Sequence, residues 1–151
     1  MATKRPQPAA DTAKTTLTHV ENTLDPIIFP DSRVLLLGSM PSPKSREIGF
    51  YFGNPQNRFW RVIAALYGEK LLQSIPEKID FCKRHHLALC DVLKACDIKG
   101  ASDASIANPV PHNIGTLIQD SSICAIFTLG GTATKLYKRY TEQQTGIPAR
   151  Q

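Results

Sequence analysis

Three short apolar runs stand out along an otherwise mixed chain: "RVLLLG" (33–38), "LALCDVL" (87–93) and "SICAIFTLG" (122–130). Each is bounded by glycine or polar residues, and each is too short for a buried helix. They predict strands covered on both faces. Between them the period changes. From residue 57, "NRFWRVIAALYG" spaces Phe59, Trp60, Ile63, Ala64 and Tyr67 as one helix face, and Gly68 stops it. "IPEKIDFCKRHH" (75–86) predicts a second helix with Pro76 in its first turn. "PHNIGTLIQD" (111–120) and "GTATKLYKRY" (131–140) predict two more, and "KACDIKGASDASIANP" (94–109) reads as a long polar loop. Strands alternating with helices predict an α/β fold with a parallel sheet. Residues 1–22, rich in Ala, Thr, Pro and Lys without periodicity, read as a disordered arm. Residues 23–151 read as one domain without internal repeats.

Composition narrows this only slightly. With 42% hydrophobic and 21% charged residues, the 151-residue chain suits a soluble domain with one core. The formal charge of +5 permits an anionic partner without demanding one. No apolar run approaches the ~18 residues of a membrane span, and no h-region follows the N-terminal charges. Cys82, Cys90, Cys96 and Cys124 lack paired short spacing, so reduced thiols and a cytoplasmic location are expected. In "CKRHHLALC" (82–90) a metal reading of Cys82, His85, His86 and Cys90 fails on spacing. Cys90 sits in an apolar run, and the histidines suit the solvated end of a helix. Neither metal nor cofactor is expected.

In parallel α/β sheets, ligands bind beyond the carboxyl ends of the strands. "GSMPSPKSREIGFYFGNPQN" (38–57), the Asp91 region and the "GGT" after the third run all fall there. The chain has no P-loop, no dinucleotide fingerprint and no nucleophile elbow. Ser39 as a nucleophile lacks a histidine suggested by chain order. What remains is a proline-stiffened loop with Ser39, Ser42 and Asn57 as polar groups, and Tyr51 and Phe52 as flat faces. Lys44 and Arg46 lie between them. Flat faces with an amide suit a purine or pyrimidine; equally, Tyr51 and Phe52 could cover the end of the sheet. Phe59 and Trp60 read as core.

"RVLLLGSMPSPKS" followed by "GFYFGNPQNRFWRV" resembles the uracil-DNA glycosylase superfamily, and "ALCDVLKACDIKGASDASIANPVP" is similar to its hypoxanthine-DNA glycosylase branch. The resemblance runs from about residue 24 to the end. It implies a three-layer α/β/α sandwich with a short central parallel sheet. It also implies a monomeric, metal-free enzyme of base excision repair, nucleoid-associated through its DNA. Such an enzyme flips a deaminated base out of double-stranded DNA and hydrolyses its N-glycosidic bond. Mismatch-specific members carry Gly-Ile-Asn-Pro-Gly, whose Asn positions water. Here Gly38-Ser39-Met40-Pro41-Ser42 stands instead, and a thioether cannot orient water as an amide does. By the resemblance, Asn57 takes the catalytic role and Phe52 stacks on the base. Gly38, Ser39, Met40 and Tyr51 complete the base site, with Ser42 and Lys44 on the DNA; Asp91 reads as a loop cap, with a catalytic base as its alternative. The family's Ser/Pro-rich C-terminal motif would begin where "TGIPARQ" (145–151) stands. A domain incomplete at that end, without a fourth strand, is therefore expected. The alternatives are an inactive, DNA-binding relative or a uracil- or mismatch-directed enzyme.

Overall fold

The computed structural model describes residues 16–151, so residues 1–15 of the expected arm lie outside it. Along the chain come β1 (Thr18–Glu21), β2 (Val34–Gly38), α1 (Pro43–Ile48), α2 (Phe59–Leu66), α3 (Ile75–Arg84), β3 (Leu87–Asp91), β4 (Leu93–Lys99), β5 (Ser102–Pro111), α4 (Ile114–Ile118), β6 (Ala125–Thr128), α5 (Gly131–Tyr140), α6 (Glu142–Thr145) and β7 (Ala149–Arg150). The three apolar runs do form parallel neighbours, in a four-stranded sheet of order β3-β2-β6-β7.

Side chains alternate across a strand, so each apolar run supplies both faces of this sheet. Leu35, Leu37, Ala88, Cys90 and Ile126 pack on one side with Ile114 and Ile118 of α4 and Tyr137 of α5. Leu36, Leu87 and Leu89 pack on the other with Trp60 and Ala64 of α2 and Phe81 and Cys82 of α3. The result is the α/β/α layering expected, with each buried leucine contributing about 1.5–3 kcal/mol. Cys82 and Cys90 belong to opposite faces, so they cannot share one metal ion.

Three expectations are corrected. The apolar run 87–93 breaks at Asp91: the backbone turns through Val92, whose N–H donates to the Gly38 carbonyl at 2.8 Å, and Leu93 starts a new sheet. That sheet, of order β1-β4-β5, replaces the long polar loop. β4 has the alternation of a half-buried strand: Leu93, Ala95, Cys96 and Ile98 are buried while Lys94 and Lys99 are exposed. β5, rich in Ser, Ala and Asp, pairs with it through several register shifts. The second correction is Thr18–Glu21. It lay within the expected arm, yet it pairs antiparallel with β4 from Thr18↔Ile98 to Glu21↔Ala95. Third, a fourth parallel strand is present, because Ala149 and Arg150 pair with Ile126 and Phe127 of β6.

Candidate functional site

A cavity of about 260 Å³ opens beyond the carboxyl ends of β2, β3 and β6, where Gly38, Asp91 and Leu129 line it. Ser39, Met40 and Ser42 from the β2–α1 loop, with Tyr51, Phe52 and Asn57 from the next loop, form much of the wall. Ile98, Ala101 and Asp103 of the β4–β5 hairpin close the remaining side.

α1 anchors both loops. Pro43 opens it and Ser42 caps it, its Oγ accepting from the Ser45 N–H at 3.1 Å. Gly49 ends it in the left-handed region at φ 83°, a conformation that favours glycine. The buried Ser45 Oγ accepts from the Ser42 hydroxyl at 3.0 Å and from the Gly53 N–H at 3.1 Å. This stitches the loop carrying Phe52 back onto the helix. Phe52 itself sits at φ 52°, a conformation costing a non-glycine residue on the order of 1–3 kcal/mol. Its ring packs 4.1 Å from that of Phe59, centroid to centroid, and lines the cavity.

Tyr51 contributes less than a free flat face. It is buried, its hydroxyl donates to the Asp25 carbonyl at 2.9 Å, and its own carbonyl accepts from Trp60 Nε1 at 2.9 Å. Burial pushes its pKa far up. Met40 is likewise buried and gives the cavity an apolar wall. Trp60 is core, stacked on Phe50 with centroids 5.9 Å apart, whereas Phe59 is half-buried. Lys44 is not part of the cavity wall; it lies exposed on α1, 3.5 Å from Glu47.

Asn57 is exposed at the cavity mouth. Its Oδ1 accepts from the Phe59 N–H at 2.8 Å, which satisfies one of the unpaired donors at the start of α2. Among the described residues its Nδ2 makes no hydrogen bond. The amide is thus held by its oxygen and presents its nitrogen, with one further lone pair, to whatever enters.

The carboxyl of Asp91 forms the floor. In the β2–β3 register Asp91 stands opposite Gly38. A Cβ on Gly38 would lie 2.5 Å from Asp91 Oδ1, so a glycine is required there to make room for the carboxyl. Asn22 Nδ2 donates to Asp91 Oδ2 at 3.2 Å and to the Leu93 carbonyl at 3.0 Å, while Asn22 Oδ1 accepts from the Leu24 N–H. Asp91 is only 3% exposed. Burial, opposed by the Asn22 bond and reinforced by nearby Asp103, raises its pKa from 3.8 to about 7. Asp103 also accepts from the Ser39 hydroxyl at 2.9 Å, tying the hairpin to the β2–α1 loop.

Asp103 and Asn22 were not assigned to the site from sequence, and Asp91 entered only as an alternative to its reading as a loop cap. A carboxylate ending an otherwise apolar strand is a readable signal for Asp91. No local signal marks Asn22 or Asp103, which arrive through tertiary pairing. Among the described residues, no group of three or more His, Cys, Asp or Glu side chains is placed to hold a metal ion. No helix there is long and apolar enough to cross a membrane.

Fold and cavity together define an α/β domain with one polar-floored, aromatic-walled pocket at a parallel sheet's carboxyl edge. The model of the Uracil DNA glycosylase superfamily matches residues 26–149, and the chain belongs to this superfamily. The chain is 35% identical over 83 residues to a hypoxanthine DNA glycosylase of Methanosarcina acetivorans, covering 54% of this chain and 52% of that one. A protein of the same name from Methanosarcina barkeri is 37% identical over 83 residues, with the same shares covered. The matched stretch therefore spans about half the length of these curated relatives. The solution NMR structure of a candidate uracil DNA glycosylase from Methanosarcina acetivorans superimposes with a TM-score of 0.76. Its sequence identity is 24%, over 89% of this chain and 83% of that one, and the likeness extends to the fold.

Proposed function

We propose that this chain is a monofunctional DNA glycosylase that takes a deaminated base, foremost hypoxanthine, out of double-stranded DNA and hydrolyses its N-glycosidic bond. The observation that carries the proposal is the joining of Phe52, Asn57 and Asp91 around one cavity. An aromatic wall, an amide at the mouth and a polar floor suit a flat heterocycle whose sugar stays outside.

The chemistry asks little of such a site. As the C1′–N9 bond breaks, its electron pair leaves with the purine and the sugar becomes oxocarbenium-like. A water oxygen then bonds C1′, and its proton balances the charge on the departing base. Asn57 at the mouth can orient that water, and positioning of this kind supplies much of the rate. The developing cation is stabilised by the DNA's own phosphates. A pair of carboxylates flanking the bond, as in ordinary glycosidases, is not needed.

The test is base release from duplexes carrying one deoxyinosine, uracil, xanthine or mismatched thymine, read as alkali-dependent strand scission. Release from the deoxyinosine duplex is expected, with Asn57→Ala slower by ~10²-fold or more. Salt-sensitive binding of all duplexes without release from any would replace this proposal by a non-catalytic DNA-binding role.

A further inference from the structure

The chain crosses between its two sheets beside the cavity floor. β1 ends at Glu21, and the Asn22 N–H continues its ladder onto the Lys94 carbonyl at 2.8 Å. Ile27 then exchanges both backbone hydrogen bonds with Leu89 of β3, each at 2.9 Å. Between these points Leu24 is buried and the Asp25 carbonyl accepts from the Tyr51 hydroxyl, so the crossing is held along its length. Asn22 stands where β3 gives way to β4, and it is not part of the cavity wall.

Resting on the base-release reading above, we propose that Asn22 is a positioning residue for that reaction. Its amide fixes which oxygen of the Asp91 carboxyl faces the cavity and favours the charged form of that carboxyl.

The hydrogen bonds of Asn22 leave one orientation. Nδ2 donates to Asp91 Oδ2 at 3.2 Å and to the Leu93 carbonyl at 3.0 Å, while Oδ1 accepts from the Leu24 N–H at 3.0 Å. A half-turn of the amide would set its oxygen against a carboxylate oxygen and a carbonyl, and neither can donate. Capping the Leu24 N–H needs only the side-chain oxygen, and an aspartate or a serine does this as well. The Nδ2 donor is therefore more than the local turn requires, and it reaches the floor. With Oδ2 engaged, Oδ1 is left on the side of Gly38, where a Cβ would stand 2.5 Å from it. Asp103 of β5 and, at longer range, Tyr51 and Cys90 also act on this carboxyl, and none of them is a cation. Burial and Asp103 push the Asp91 pKa up to about 7, and the Asn22 hydrogen bond is the influence that opposes them. Without Nδ2 the carboxyl would stay protonated over more of the neutral range.

The experiment follows the Asp91 carboxyl by carbon NMR across a pH series in the full chain. Single-turnover base release from the deoxyinosine duplex is timed over the same series. The wild type is expected to titrate near pH 7. Asn22→Ala should raise that midpoint by about one pH unit and move the pH profile of release upward with it. Release near pH 7 should slow by ~10-fold, with binding of undamaged duplex unchanged. Asn22→Asp keeps the acceptor for the Leu24 N–H and loses the donor, so it should not restore release; full recovery there would reduce Asn22 to a turn cap. His19→Ala frees β1 from Asp97 without touching Asn22, and it should match the wild type in both readouts. An unmoved midpoint in Asn22→Ala, or a moved midpoint with an unmoved release profile, overturns the assignment. The titration needs no substrate. Absence of release by the wild type therefore removes the base-release reading, while the hold of Asn22 on Asp91 is still judged by NMR.

Discussion

Asn57 and Asp91 carry opposite structural debts, and stability measurements can separate them from catalysis. The Asn57 oxygen accepts from the Phe59 N–H at the first residue of α2, so Asn57→Ala leaves that donor unpaired as well as removing an amide. Loss of one such hydrogen bond lowers stability by about 1 kcal/mol. Asn57→Asp keeps the acceptor, adds a charge favoured at a helix N-terminus, and removes only the Nδ2 donor. The expected outcome is near-wild-type thermal unfolding for Asn57→Asp but strongly reduced base release. Full activity in that variant would show that Nδ2 takes no part.

Asp91 behaves in the other sense. Its folded pKa of about 7 lies above the unfolded value of 3.8, so the folded state binds the extra proton between these values. This group's contribution is therefore most favourable below about pH 4 and is lost as pH rises through 7. At pH 8 the wild type bears a penalty on the order of 4 kcal/mol from this one side chain. Asp91→Asn should thus raise the urea midpoint at pH 8 and give little gain at pH 4.5. Equal midpoints at pH 8 would contradict the burial argument. Sequence offered Phe52 and Asn57 because both lie in one dense local string. It left Asp91 as a loop cap because its clamp, Asn22, lies far away in the chain.

At the scale of elements, the parallel sheet was legible and the second sheet was not. Apolar runs of five to seven residues state their own burial, whereas β4 alternates over positions interrupted by Cys96 and Asp97. β5 carries serines, alanines and two prolines, residue types with little strand preference, and its pairing comes from tertiary context. Yet this hairpin supplies Ile98, Ala101 and Asp103 to the cavity. α1 was hidden for a related reason, being short and held by its caps more than by an apolar stripe. Its Ser45 is the pivot, since the Oγ receives both the Ser42 hydroxyl and the Gly53 N–H. Ser45→Ala leaves a partly buried Gly53 donor unpaired, which destabilises by about 1–3 kcal/mol. Loosening should concentrate in residues 49–57. Hydrogen exchange should show faster exchange there, with β2 and β3 unchanged; uniform acceleration across the domain would point to a global loss instead.

The whole molecule separates charge by depth. Two carboxyls, Asp91 and Asp103, line the cavity, whereas Arg58 and Arg61, which follow Asn57 in the chain, lie exposed around the start of α2, and Lys44 lies exposed on α1. A free nucleotide would have to bring its phosphate toward acidic walls. On the proposed reading a polymer would keep its phosphates outside the cavity, near these cations, and send in only a neutral base. The net charge of +5 supports the same division, since it favours approach to a polyanion. Phosphate contacts release counterions, so binding of duplex DNA should weaken with salt along a straight line in log–log form. Arg58 lies exposed outside the walls of this cavity, so Arg58→Ala removes a surface cation without touching the floor. It should weaken binding of deoxyinosine and undamaged duplexes alike, lower the salt slope by about one unit, and leave the preference between them unchanged. A change in preference with an unaltered slope would instead place Arg58 against the base and move the phosphate track elsewhere on the surface.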